Sequence, residues 1–136
     1  MDWQQEYSVG IEELDKHHQF FFEFFHRLDE AIQAGRSWSD QYYLIEQLRE
    51  YARFHFAVEE AVMRMHGYAK ADHHADIHRS FIDHMHVLEK KALNSEVTLE
   101  IADFMRKWFT EHICGEDREY SQAFAEQIER VRSNNG

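Results

Sequence analysis

Along the chain, apolar residues recur at alternating steps of three and four, the spacing of a buried stripe on an α-helix. One stripe runs Ile11, Leu14, His18, Phe21, Phe25, Leu28, Ile32, and a second Ile45, Leu48, Ala52, His55, Glu59, Val62. A third reads Ala71, His74, His78, Phe81, Met85, Leu88, and a fourth Ile101, Met105, Trp108, His112. The first helix is therefore expected from Ile11 to Ala34 with Gly35 as its C-terminal cap. The second, capped by Ser37 or Ser39, runs to His66 and stops at Gly67. The third starts at Ala71 or Asp72 and fades after Leu93; Asn94, Ser95 and Thr98 offer turn and capping chemistry before the fourth, which reaches His112. Gly115 interrupts the pattern, Glu116 to Arg132 predicts a short final helix, and residues 133–136 should fray. Residues 1–10 read as an extended arm with Trp3 and Tyr7 as packing anchors. Connections this short set consecutive helices antiparallel. The expected fold is all-α: an up-down-up-down four-helix bundle with an N-terminal arm and a short C-terminal helix, one domain over 1–136.

Each stripe is apolar until it meets an imidazole. A buried polar ring costs free energy unless its nitrogens are satisfied. His74 and His78, four apart, leave one helical face and can reach one metal ion, and so can His55 and Glu59. Either pair alone is weak: with 11 histidines in 136 residues such a spacing arises by chance. His18 or His112 alone would be read as an ordinary core histidine. All six fall in core stripes, however, and four stripes converging on polar donors point to a metal cluster inside the bundle. Asp117 lies five residues after His112, about 140° away around a straight helix. Helical geometry leaves two readings open, a surface carboxylate or one turned back to the core where the helix ends or bulges at Gly115.

Composition narrows the field. The chain has no Pro and five Gly, with 43% apolar and 15% aromatic residues, a mixture suited to helices with short loops and unlike disorder. Its formal charge of −11 and lack of any Lys/Arg run argue against nucleic acid and anionic membrane as partners. One cysteine, Cys114, excludes an internal disulfide or a thiolate-rich metal site. The first residues lack a signal-peptide pattern, and no stretch reaches the ~18 uncharged apolar residues of a membrane span. A soluble cytoplasmic monomer is the expectation.

In order, the set is His18, His55-x-x-x-Glu59, His74-x-x-x-His78 and His112-x-x-x-x-Asp117. With Trp3, Ser8-Val9-Gly10-Ile11, Asp15-x-x-His18 and Trp108-x-x-x-His112-Ile113, it closely resembles the hemerythrin family, in particular the single-domain bacteriohemerythrins. The resemblance implies a non-haem di-iron centre that binds O2 reversibly, for carriage, storage or delivery to an oxygen-using enzyme. It assigns His74, His78 and His112 to one iron and His18 and His55 to the second. Glu59 and Asp117, with an oxo or hydroxo group, would bridge the two ions, and an open position on the second iron would take O2. Imidazole and carboxylate suit iron in both oxidation states, and bridging anions offset adjacent cations. The same resemblance assigns Phe21, Phe56, Trp108, Phe109 and Ile113 to an apolar O2 pocket, although core packing accounts for them equally well.

Two positions depart from the family pattern. Phe109 stands where leucine is commoner, which bears on O2 access or adduct lifetime. His17, often glutamine, either backs its neighbour His18 or faces solvent, and solvent is the expectation. His26, His66, His73, His84 and His86 have no ligand-like partners; His66 sits at a helix C-terminus, where its protonated form suits the dipole, and the others are expected on solvated faces.

Competing functions separate by sequence. A ferritin-like di-iron oxidase needs two Glu-x-x-His motifs, and only Glu23 to His26 fits. A sensor of O2, redox state or nitric oxide would need a separate partner. Peroxidase turnover needs a proton donor that the apolar pocket lacks, so no enzymatic activity is expected. A structural zinc or iron site would need no open position.

Overall fold

Two glycines and a serine punctuate the first half of the molecule. In the computed structural model, which describes residues 3–91 and 95–135, α1 spans Glu12–Gln33 and α2 Trp38–Met65. Both end in the same motif. Gly35 (φ 65°) follows α1, where Arg36 N–H donates to Ala31 C=O at 3.0 Å; Gly67 (φ 67°) follows α2, where Tyr68 N–H donates to Met63 C=O at 2.9 Å. The left-handed backbone that lets the chain fold back onto the last turn favours glycine at both places. Ser37, not Ser39, caps α2, its Oγ accepting from Asp40 N–H at 3.2 Å. Helix α3 covers Ala71–Lys90; the expected fade after Leu93 and the turn at Asn94 lie outside the described residues. Helix α4 runs Ser95–His112, so Thr98 sits buried within its first turn instead of preceding it.

Beyond His112 the helix does not end. Ile113–Asp117 forms a π turn, with i→i+5 hydrogen bonding, and α5 continues from it over Arg118–Asn135. The final segment is thus longer than expected and prolongs α4. No Gly or Pro lies between Gly115 and Gly136 to stop it, and helix persists through the expected fraying at 133–135.

Helices α1, α2, α3 and α4 each pack against the next, α4 closes back on α1, and α2 touches α4 across the diagonal. The stripes read from sequence face inward. Every stripe residue is buried except Ile11, Ile32, Val62 and Trp108, which are half-buried at the margins. Charged ties brace the edges: Arg49 of α2 with Glu89 of α3, and Arg106 of α4 with Asp29 of α1 at 2.5 Å. The arm is not fully extended, since Gln5–Tyr7 forms a 3-10 turn. Asp15 holds it down, accepting from Ser8 Oγ at 2.5 Å and Val9 N–H at 2.9 Å. Trp3 and Tyr7 then cover Phe22, a buried ring outside the stripes, with Tyr7 stacked on it at 5.1 Å. Among the described residues, no helix is long and apolar enough to cross a membrane.

Candidate metal centre

Four helices and the π turn bring all seven predicted donors into one buried cluster, none more than 3% exposed. The π turn settles Asp117. A ring of five residues sets i+5 over i, so its carboxylate returns to the core 3.1 Å from His112 Nε2. Gly115 is not what permits this. Its φ is not positive, and a Cβ added there would meet nothing within 4 Å. The bulge buries Ile113 and Asp117 together.

The donors fall into two groups. Glu59, His74, His78, His112 and Asp117 offer atoms all within 4.8 Å of one another, and so do His18, His55, Glu59 and Asp117. The two carboxylates belong to both. Glu59 Oε1 lies 2.7 Å from His74 Nε2 and 3.3 Å from His78 Nε2, while its Oε2 lies 3.3 Å from His55 Nε2. Asp117 mirrors it: Oδ1 is 3.0 Å from His74 Nε2, and Oδ2 is 3.1 Å from His18 Nε2.

Apart from the hydrogen bond between His74 Nε2 and Asp117 Oδ1, these contacts are close yet poorly aligned. Both Glu59 oxygens, Asp117 Oδ2 and both His18 nitrogens lack a hydrogen-bond partner of proper geometry. Nε2 of His78 and Nε2 of His112 face one another at 3.0 Å, an approach that needs a proton or a cation between them. Orphaned, fully buried donors aimed at shared points are rare in a satisfied core and fit a metal cluster. Imidazole and carboxylate donors without thiolate suit iron among the first-row metals.

Electrostatics agree. For Glu59, His74, His112 and Asp117, burial opposes charge and the oppositely charged neighbours outweigh it. His112 is pushed up to about 10: burial lowers it, and the Asp117 charge and hydrogen bond more than offset this. His74 is raised to about 9, burial again opposing and the close carboxylates of Asp117 and Glu59 prevailing. Burial and the Asp117 charge would raise Glu59, yet the close imidazoles of His55, His74 and His78 hold it well below the usual carboxylate range. Asp117 is depressed likewise by His112, His18 and His74, against burial. Without metal, the imidazoliums of His74 and His112 therefore face the carboxylates of Glu59 and Asp117. Protons occupy the place of cations.

Around it, Phe56 stacks on His78 at 3.9 Å and Trp108 on His112 at 4.5 Å. Phe21 meets His55 at 5.4 Å and stacks on Phe109 at 4.1 Å, and Ile113 is wholly buried beside them. The five residues expected to line an apolar pocket thus pack on one another against the cluster.

The sequence matches the hemerythrin HHE cation binding domain over residues 9–124. The chain belongs to the hemerythrin family. It is 33% identical to the bacteriohemerythrin of Clostridium acetobutylicum over 125 residues, 87% of this chain and 96% of that protein. Identity to the bacteriohemerythrin of Pseudomonas aeruginosa (strain PAO1) is 30% over 122 residues, 89% and 79% of the two chains. Myohemerythrin of Theromyzon tessulatum is 26% identical over 118 residues, covering 87% of this chain and 88% of that one.

Several residues of this hemerythrin-type site were misjudged or missed from sequence. His17 does not face solvent: half-buried, it sets its Nδ1 2.8 Å from Nδ1 of His55, and burial, then the nearby His55, lower its pKa. His66, at the C-terminus of α2, has side-chain partners that its sequence position does not show. Its Nδ1 meets the Tyr120 hydroxyl at 3.0 Å, and its ring stacks on Phe124 at 4.3 Å. Glu60 Oε2 lies 3.0 Å from His78 Nδ1, and Glu116 Oε1 3.8 Å from His112 Nδ1. Glu116 alone left a signal, standing four residues after His112.

Proposed function

We propose that this chain binds O2 reversibly at a di-iron centre, for carriage, storage or delivery rather than for turnover. The observation that carries the reading is the division of donors into a three-histidine and a two-histidine group sharing Glu59 and Asp117. In this assignment His74, His78 and His112 would hold one iron and His18 and His55 the other, with Glu59 and Asp117 serving both. The names of the bacteriohemerythrin and myohemerythrin relatives support the choice of iron. When bound, a ferrous pair supplies two electrons and one open coordination position to O2.

The remaining work belongs to the chain. Five imidazoles present neutral nitrogens and two carboxylates supply two negative charges, so two divalent ions are partly neutralised within a dry core. The rings of Phe21, Phe56, Trp108 and Phe109, with Ile113, exclude water from one flank. None carries a carboxyl or imidazole, so this flank offers no proton donor, which favours reversible binding of O2 over its reduction. The surrounding α-helices bring the five imidazoles and two carboxylates together as two overlapping donor groups.

The test is iron analysis with visible absorption spectra on protein reduced anaerobically, exposed to air and then purged. Two irons per chain and a charge-transfer band that appears with O2 and fades on purging are expected. Irreversible oxidation would favour a redox or sensing role acting through a partner. Absence of iron after loading would overturn the proposal.

A further inference from the structure

The three-histidine and two-histidine groups differ in what stands behind their rings. Behind His78 is a carboxylate, Glu60, 3.0 Å from the Nδ1 that points away from the cluster. Behind His112 another, Glu116, stands at 3.8 Å, too far for a hydrogen bond. Behind His55 is no carboxylate but an imidazole, His17, with Nδ1 facing Nδ1 at 2.8 Å. Two such nitrogens can share one proton, and only one of them can donate. His55 turns its Nε2 toward Glu59 at 3.3 Å, inside the cluster. A nitrogen that binds metal carries no proton, so the remaining proton of neutral His55 must sit on Nδ1. His55 Nδ1–H therefore donates, and His17 Nδ1 accepts. His17 is held for this task by its neighbours: its ring meets Tyr51 edge-on at 6.1 Å and Phe54 at 6.3 Å.

We infer that His17 is a positioning residue for the two-histidine iron: it fixes the tautomer and ring orientation of His55 and, as a neutral acceptor, leaves that side a weaker donor than the carboxylate-backed three-histidine side. The inference rests on the di-iron reading above. It bears on the ion where the open position lies, since a hydrogen-bond acceptor behind a ligating histidine sets how strongly the ring donates. A carboxylate there would enrich the ring in electron density and favour the ferric ion; an imidazole does so less. His17 also lines an apolar cavity of about 270 Å3 that reaches Glu59 between Leu14, Val62 and Tyr120, so a replacement side chain has room to reorient.

The experiment compares iron release to a chelator, followed by absorbance, and the reduction potential in wild-type protein and four variants. His17→Gln keeps an acceptor and is expected to release iron within about twofold of wild type. His17→Phe fills the same space between Tyr51 and Phe54 without an acceptor, and His17→Ala removes both. Each is expected to release one of the two irons about 10–100-fold faster while the second stays, the usual cost of removing a partner behind a ligating histidine. His17→Glu is expected to lower the potential and slow that release. If His17→Phe releases iron like wild type, or if His17→Ala loses both irons equally together with a lower melting temperature of the metal-free protein, the inference is overturned. Wild-type protein that takes up no iron would instead overturn the di-iron reading itself.

Discussion

Stripped of metal, the chain is expected to lose stability as pH rises from about 6.5 to 10. His74 and His112 hold their protons in the folded state to about 9 and about 10. In the unfolded chain both release them near the ordinary value of about 6.5. A raised folded pKa adds stability that is complete below the unfolded value and disappears as pH climbs through the folded one. Between the two limits each retained proton tilts the unfolding free energy downward by up to about 1.4 kcal/mol per pH unit. The two imidazoliums share the same carboxylates, so their contributions do not simply add. A total loss on the order of 5 kcal/mol is expected, comparable with the whole stability of a small domain. Glu59 and Asp117 act in the opposite direction. Their depressed pKa values add stability above the usual carboxylate range and lose it as pH falls, leaving the metal-free optimum near pH 5 to 6.5. The assay is urea unfolding of chelator-treated protein, followed by circular dichroism across this range. His112→Gln should flatten the alkaline slope by about one proton, and iron-loaded protein should lack it, because metal then replaces the protons. Stability that is flat or rises between pH 7 and 9 would refute the charge assignment.

Two further outcomes are expected. His74→Ala should abolish full metal loading while His73→Ala, exposed on the same helix, leaves it intact; equal loss of iron in both would mean the α3 register is wrong. Gly115→Ala should raise stability by about 0.5–1 kcal/mol without changing metal content, since an exposed helical position with no positive φ gains from a side chain. A drop in metal content would show that the π turn depends on glycine after all.

The bundle and most of its centre were legible because they rest on periodicity. Stripe residues such as Leu28, Ala52, His78 and Met105 are buried as their spacing requires, and Gly35, Gly67 and Ser37 occupy the termini their chemistry favours. Periodicity left Asp117 open, since a straight helix sends it elsewhere and no residue type marks a π turn; the family resemblance alone placed it among the ligands. Gly115 suggested an interruption at the right place for the wrong reason. His17 was misplaced because its meaning lies in a contact with His55, 38 residues away, and not in its own helical position. The partners of His66, Tyr120 and Phe124, were missed for the same reason: they reach it because α5 prolongs α4.

That prolongation has a consequence in the arithmetic of insertions and deletions. A π turn is an α-helix carrying one surplus residue. Remove one residue between His112 and Asp117, and an unbroken α-helix would place the two four apart, on one face, as His74 and His78 already are. The bulge thus absorbs a frame slip of one position without moving the carboxylate from the cluster. Downstream a new frame begins: Asp117, Tyr120 and Phe124 follow one another at three and four, the spacing of another inward stripe. The long C-terminal rod is therefore two helical reading frames spliced at the metal site, each free to drift in sequence so long as His112 closes one and Asp117 opens the other.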